Sequence, residues 1–324
     1  MTKTPRRSIA FAPATVANVA CGFDVLGLAL EKPGDTVTVE LVEEPGISIA
    51  GIEGDEGRLS KDPGKNTATV AARALLERSS RASSGLRLHL RKGLPLASGL
   101  GSSAASAVAA ALAVSDLLQL PVDSHEILAA ALEGERVVAG AGHADNAAAC
   151  LFGGLVLVRS TDPLDVVRLP VPEGLSVAVL RPHLELSTRE SRELLGSEVR
   201  LEDAVQQWAN VGALVAGLHS GDLDLVSRSL VDVIAEPIRS RRVPGFSEVK
   251  RAALDAGALG SSLSGSGPSI FALCRSLASA AIVSKKMAEA FAAAAPGLRW
   301  DLHSSEVSPE GARLIREKEA ACAS

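Results

Sequence analysis

The stretch "LASGLGSSAASAVAAALAV" (96–114) carries no charge and no aromatic ring. It follows "LRLHLR" (86–91), where Leu86, Leu88 and Leu90 alternate with Arg87, His89 and Arg91, the period-two pattern of a half-buried strand. The segment "GLPLASGLG" breaks that alternation with a proline and glycines. "SSAASAVAAALAVSDLL" then has strong helix propensity. The order is strand, glycine-rich loop, helix. A helix N-terminus presents unpaired N–H groups and partial positive charge. Gly99 and Gly101 allow close backbone approach, and small residues in the first turn leave room for a guest. Such a segment suits an anion, phosphate above all. A second reading remains open from these residues alone: Gly/Ala surfaces also serve close helix–sheet packing without any ligand.

Two other phosphate-binding patterns fit less well. The G-x-x-x-x-G-K-[ST] loop requires a lysine that is missing here. Gly99, Gly101 and Ala104 formally match a dinucleotide fingerprint. A loop with Pro95 separates them from the strand, however, and the acidic residue further on, Asp123, is placed at a helix cap.

The remaining composition narrows the classes. A chain of 324 residues is long enough for about two domains. With 47% hydrophobic and 22% charged residues it can bury a sizeable core. Six Phe, two Trp and no Tyr leave few stacking platforms for single-stranded nucleic acid. A net charge of −5 with one short basic cluster, "RSRR" (239–242), argues against duplex binding. Cys21, Cys150, Cys274 and Cys322 are scattered, without the spacing of a disulfide framework or zinc site, which points to a reducing compartment. No stretch reads as a membrane span, and "MTKTPRRSIAFAP" lacks the apolar run of a secretory signal. The expectation is a cytoplasmic protein without membrane or nucleic-acid partners, with a homodimer as a candidate assembly.

The pattern predicts strands at 36–43, 86–91, 154–160, 175–182 and 269–274. It predicts helices at 66–79, 102–119, 124–139, 188–196, 202–219, 222–235, 246–256 and 277–294. The three prolines of 159–174 mark a loop between two α+β halves. The expected division is 1–160, 161–310 and a tail, 311–324.

"PLASGLGSSAA" (95–105) resembles, over its whole length, the second motif of the GHMP small-molecule kinases, P-x-x-x-G-L-G-S-S-A-A. "FAPATVANVACGFDVLGLAL" (11–30) resembles the N-terminal motif of the branch that phosphorylates L-homoserine, P-A-T-S-A-N-L-G-P-G-F-D-x-L-G. Val16 replaces Ser there, and Val19, Ala20 and Cys21 replace Leu-Gly-Pro, whereas Asn18, Gly22, Phe23 and Asp24 are kept. "LSGSGPSIFAL" (263–273) resembles the C-terminal glycine-rich motif, with Gly265, Ser266 and Gly267. "GHADNAAACLFGG" (142–154), "STRESR" (187–192), "DVIAEPIR" (232–239) and "KNTATVAARAL" (65–75) are similar to further segments of that branch.

The resemblance implies a two-domain α+β fold, with an N-terminal half like the second domain of ribosomal protein S5 and a ferredoxin-like C-terminal half. It implies ATP and Mg²⁺ as cofactors and L-homoserine as substrate. Pro95, Leu96, Ala97, Ser98, Gly99, Leu100, Gly101, Ser102, Ser103, Ala104 and Ala105 would hold the nucleotide, with Asn66 against the adenine. Arg192 and Arg239 would take the substrate carboxylate, with Thr188 beside them. Asp24 would take the ammonium group, and Asn18, His143 and Asn146 would hydrogen-bond the substrate. Ser103 and Glu135 would ligate Mg²⁺, Glu135 standing eight residues before His143 with Glu133 as competitor. Relatives such as mevalonate kinase carry an Asp where this branch has an Asn, here Asn146. An amide positions a hydroxyl without accepting its proton, so no obligatory side-chain base is expected. Two other functions stay open: a kinase of this family for another alcohol (mevalonate or methylerythritol type), and a non-catalytic nucleotide-binding regulator.

Overall fold

Thr36–Val42 alternates as expected, but it is only the second half of a much longer strand. The computed structural model describes residues 6–79, 81–140 and 144–316. Its first half comprises β1 (Arg7–Ala17), β2 (Leu26–Val42), β3 (Gly46–Glu53), α1 (Thr67–Glu77), β4 (Gly85–Arg91), α2 (Ser102–Leu118), α3 (Ser124–Ala139), α4 (Ala144–Phe152), β5 (Leu155–Thr161) and β6 (Leu164–Leu169). The second half holds β7 (Ser176–Pro182), α5 (Thr188–Glu193), α6 (Leu201–Ser220), α7 (Leu223–Ser229), α8 (Glu236–Arg239), α9 (Phe246–Asp255), β8 (Gly260–Leu263), β9 (Ile270–Cys274), α10 (Leu277–Ala294) and β10 (Trp300–Glu306). β11 (Arg313–Leu314) returns to pair with β1.

The first sheet runs β11-β1-β2-β4-β3. β2 is long enough to serve two partners on the edge away from β1: Thr36–Val42 pairs with β4, and Leu26–Leu28 with β5. Within this sheet β3 and β4 run parallel, whereas β1 and β2 are antiparallel. The helix α2 lies on β1 and β2 and against α1 and α3. It is apolar around its circumference, as a helix enclosed on all sides must be. Its alanines permit the close approach: a Cβ on Gly134 of α3 would lie 2.5 Å from the Thr67 carbonyl oxygen and 3.3 Å from Ala107 Cβ. So the packing reading of the alanine-rich tract holds for its helical body, and a second role is confined to its N-terminal end.

The second sheet runs β10-β7-β9-β8 with every neighbouring pair antiparallel. In chain order that is fourth, first, third, second, the ferredoxin-like arrangement. Two separate cores result: a large one around α2 and the first sheet, and a smaller one around Phe271's sheet neighbours Ile270 and Ala272 with Val283, Met287 and Phe291 of α10.

Several expectations need correction. The division at 160/161 falls inside β5, because the proline-rich segment 159–174 folds back as the β5–β6 hairpin of the first sheet. The halves therefore part between Leu169 and Ser176. Part of the expected tail also belongs to the first half, through β11. The helix expected over 222–235 stops at Ser229. Beyond it the Asp232 carboxylate collects the N–H groups of Ile234, Ala235 and Glu236, and these start α8 instead. β1, β3, β6, β8 and α4 were not expected: β1 and β8 are buried on both faces and show no alternation, whereas β3 does alternate exposed with half-buried residues but is interrupted by Gly51. Among the described residues no helix is long and apolar enough to cross a membrane.

Candidate active site

The strand β4 ends at Arg91, and residues 92–101 form the glycine-rich loop before α2. Gly101 is the N-cap of α2 with φ 70°, and no side chain caps the helix. Its first N–H groups are therefore free of local partners, as an anion site needs. Neither loop glycine tolerates a side chain. A Cβ on Gly101 would lie 2.1 Å from Thr15 Oγ1, and one on Gly99 would lie 2.6 Å from the Ser264 carbonyl oxygen.

Those contacts show how three distant motifs meet. Ser264 Oγ donates to the Gly99 carbonyl at 2.6 Å, and Ser269 Oγ donates to that of Ser98 at 2.6 Å. The Gly265 N–H reaches the Ala17 carbonyl at 3.2 Å. Asn18 Nδ2 and Arg239 Nη1 both donate to the Gly265 carbonyl, each at 3.1 Å. Thr15 Oγ1 donates to Asn146 Oδ1 at 2.7 Å. The result is a cleft of about 640 Å³ between the halves.

Sequence-predicted residues divide into those that line this cleft and those that do not. Leu96, Ala97, Ser98, Gly99, Gly101, Ser102, Ser103, Asn18, Asp24, Asn66, Glu135, Asn146, Thr188, Arg192, Arg239, Gly265 and Ser266 all face it. Pro95 instead borders a neighbouring, more polar cavity. Leu100, Ala104 and Ala105 put their side chains into the core, which leaves only their backbone to a ligand. Gly267 lies behind the loop, its N–H bonded to the Ser264 carbonyl at 2.9 Å. Asn66 borders the cleft, but its amide is committed: Oδ1 accepts from the Ala68 N–H as the N-cap of α1, and Nδ2 donates to the Ser60 carbonyl. His143 lies outside the described residues.

The two loop serines have different partners. Ser102 Oγ turns inward to the Leu94 carbonyl at 3.3 Å. Ser103 Oγ donates to Glu135 Oε2 at 3.0 Å. Glu135 is 3% exposed, and its other oxygen, Oε1, is buried without a hydrogen-bond partner. Burial pushes its carboxyl up to about 7, against the pull of the Ser103 bond and the Lys92 charge. Glu133, the competitor, pairs with Arg136 and Arg78 on the surface.

At the other end, Arg192 Nη2 holds both oxygens of Asp24 at 2.8 Å. Arg239 is buried, with Nε donating to the Ser191 carbonyl at 3.3 Å. Burial lowers the pKa of its guanidinium, while Asp24 counteracts. Both guanidinium groups stand over the Phe23 ring, at 5.7 Å for Arg192 and 5.1 Å for Arg239. Thr188 Oγ1 lies 3.3 Å from Ser266 Oγ.

The sequence reading passed over two features. The first is a buried ion pair under the loop. Lys92 Nζ binds the Asp35 carboxylate, the Ser102 carbonyl at 2.9 Å and Ser106 Oγ at 2.7 Å. Asp35 also accepts the Gly93 and Leu94 N–H groups at 3.1 Å. Nothing in "RKG" or "PGD" distinguishes these charges from solvated ones. The second is Asp145, buried beside Asn146, whose N–H it accepts at 2.9 Å. Burial and then the Asp24 charge raise its carboxyl to about 7, against the bonds from Asn146 and Asn18 N–H.

A cleft with an uncapped helix N-terminus at one end and an amino-acid-sized set of opposite charges at the other can hold a polyphosphate against a zwitterion. Comparison with known proteins identifies the family. Residues 66–154 match the model of the GHMP kinase N-terminal domain, and 214–293 that of the GHMP kinase C-terminal domain. The chain is 48% identical to a homoserine kinase of Chlorobium phaeovibrioides over 94% of its own length and 98% of that protein. It is 42% identical to one of Xanthomonas campestris, over 96% and 94%. A crystal structure of homoserine kinase from Cytophaga hutchinsonii superposes with a TM-score of 0.92 at 48% identity, covering 97% of this chain and 99% of that one. Mevalonate kinase of L. major shares the fold at a TM-score of 0.67 and 18% identity. The chain therefore belongs to the GHMP kinases, in their homoserine kinase branch.

Proposed function

We propose that the protein transfers the γ-phosphoryl group of ATP to the side-chain hydroxyl of L-homoserine, giving O-phospho-L-homoserine and ADP. The observation that carries this reading is the joint placement of Asp24, Arg192 and Arg239 across one cleft from the Gly99–Ser103 backbone. An alcohol without the amino-acid zwitterion has no use for that set. The Arg192–Asp24 pair leaves Arg239 as the nearest fork for the carboxylate, and its burial strengthens a charge-assisted bond. The substrate ammonium then shares the Asp24 carboxylate with Arg192.

The residues present suit Mg²⁺. Hard cations take oxygen ligands, and Mg²⁺ keeps few protein ones beside phosphates and water. Ser103 Oγ and the orphaned Glu135 Oε1 are such a pair, and among the described residues no cluster of three or more His, Cys, Asp or Glu competes. These two residues would hold the ion, which when bound supplies charge neutralisation for the phosphates. Its charge would also bring the Glu135 carboxyl back to the ionised form.

The protein's part in the transfer is positioning and electrostatic stabilisation. The α2 N–H groups orient the phosphates. Asn146, oriented by Thr15, fixes the attacking hydroxyl, and its amide takes no proton. The proton leaves to the γ-phosphate or to solvent as the new O–P bond forms.

A kinase assay over L-homoserine, mevalonate and a methylerythritol derivative tests this. Turnover of homoserine alone is expected; activity on mevalonate and not homoserine overturns it. ATP binding without turnover on any of them would favour the regulator. Asp145 supplies the test of the base-free transfer. Its carboxyl faces the cleft and titrates near neutrality. The kcat–pH profile is expected to keep its shape in Asp145→Asn; loss of a single ionisation in that variant would make Asp145 the proton acceptor.

A further inference from the structure

The substrate end of the cleft rests on a turn with unfavourable backbone. Asn18, Val19, Ala20 and Asp24 have φ of 68°, 43°, 59° and 60°, the left-handed region, with no glycine among them. Left-handed conformations of this kind persist only where surroundings over-determine them. Part of the restraint is local, since Asn18 Oδ1 accepts the Asp24 N–H at 3.1 Å. The rest comes from α6, nearly two hundred residues away in sequence.

Gln207 projects from α6 and is 7% exposed. Its Nε2 donates to the Cys21 carbonyl at 2.7 Å, inside the turn, and to Asp232 Oδ1 at 3.1 Å. Its Oε1 accepts the Val233 N–H at 3.0 Å. Asp232, also buried, gathers the N–H groups of Ile234, Ala235 and Glu236 and so begins α8, whose last residue is Arg239. One carboxamide thus links the turn that presents Asn18 and Asp24 to the segment that presents Arg239. No other described side chain is hydrogen-bonded to both the Cys21 carbonyl and the 232–233 backbone or side chain.

We infer that Gln207 is a positioning residue that sets the distance between the ammonium and carboxylate subsites, and with it the fit of the α-amino-acid head group they share. Gln207 is not among the residues that line the cleft. Its effect passes through Cys21 on one side and Asp232 on the other. This rests on the reading of Asp24 and Arg239 as substrate groups.

The test is steady-state kinetics on Gln207→Met, which keeps the length of the side chain and loses all three hydrogen bonds. KM for L-homoserine is expected to rise at least about tenfold, with KM for ATP within about twofold of the parent. The preference for L-homoserine over 4-hydroxybutanoate, which keeps the carboxylate and the hydroxyl but lacks the ammonium group, is expected to fall. Asn210→Ala is the control. It removes a bond of the same helix to the Val231 carbonyl, 2.9 Å, which does not reach the turn. It should lower the melting temperature comparably and leave both KM values and that preference unchanged. Should Gln207→Met not fold, Asp232→Asn reads out the same linkage. An unchanged homoserine KM in the Gln207 variant, or equal changes for both substrates, overturns the inference. Arg239→Ala separates the two failures. If it leaves homoserine binding intact, the site reading has failed. If it weakens binding while Gln207→Met does not, only the role of Gln207 has failed.

Discussion

At the end of the cleft proposed for the nucleotide, one continuous segment supplies the surface, and it does so with backbone. Apart from Leu96 and Leu100, residues 96–103 carry only small side chains, and they add two left-handed glycines and a helix start. At the end proposed for the substrate the surface is made of side chains from segments far apart: Asn18 and Asp24 after β1, Asn146 on α4, Arg192 on α5, Arg239 on α8. Each of those side chains is held by a partner from another segment, as Arg239 is by Ser191 and Gly265. The difference teaches how each end fails. A backbone site is damaged by adding atoms, and a side-chain site by removing them.

Lys92→Met challenges that contrast most severely, because it removes atoms at the backbone-built end. It leaves Asp35 buried with no counter-charge, at a cost of about 3–5 kcal/mol. Urea unfolding should show the loss, and Lys92→Met with Asp35→Leu should recover most of it. If the single variant is as stable as the parent, the loop does not depend on the ion pair beneath it.

Gly101→Ala adds one carbon at the same end. A left-handed alanine costs about 1–2 kcal/mol, and the overlap with Thr15 Oγ1 about 1–3 more. Stability and KM for ATP should both suffer, the latter measured at saturating homoserine. An alanine variant with parental ATP kinetics would remove the close-approach argument.

Arg239→Ala removes atoms at the side-chain end. A charge-assisted bond is worth about 1.5–3 kcal/mol, so KM for homoserine should rise roughly 10- to 150-fold with KM for ATP little changed. Equal effects on both substrates would mean that the two ends are not separable.

The last test concerns pH. The Asp145 carboxyl is raised from 3.8 to about 7 in the folded protein. A raised carboxyl means the folded state holds its proton more tightly than the unfolded one. Its contribution to stability is complete below the unfolded value and is lost as pH rises through about 7. Asp145→Asn removes that dependence. The melting temperature of the variant minus that of the parent should climb from pH 4 to pH 8, read without ligands; a flat difference would show that the carboxyl is not perturbed.

These contrasts also explain what could be read beforehand. The strand–loop–helix order at 86–118, the phosphate-loop glycines and both α+β halves follow from local patterns: period two, a glycine-rich break, high helix propensity. Asp24, Arg192 and Arg239 were reached through motif resemblance, because a lone charge in a sequence looks the same whether buried or solvated. The misplaced boundary at 160/161 has a similar origin. Pro163 and Pro170 announce a loop, while the β5–β6 pairing that absorbs the segment is set by partners across the sheet.

The sequence by itself determined the backbone-built end, since a helix N-terminus carries its unpaired N–H groups wherever it is placed. Tertiary structure alone decided which serine meets Glu135, that Lys92 and Asp35 are buried together, and that Gln207 reaches Cys21. Those outcomes depend on desolvation and on long-range contacts, and neither is a property of any residue taken with its neighbours in the chain.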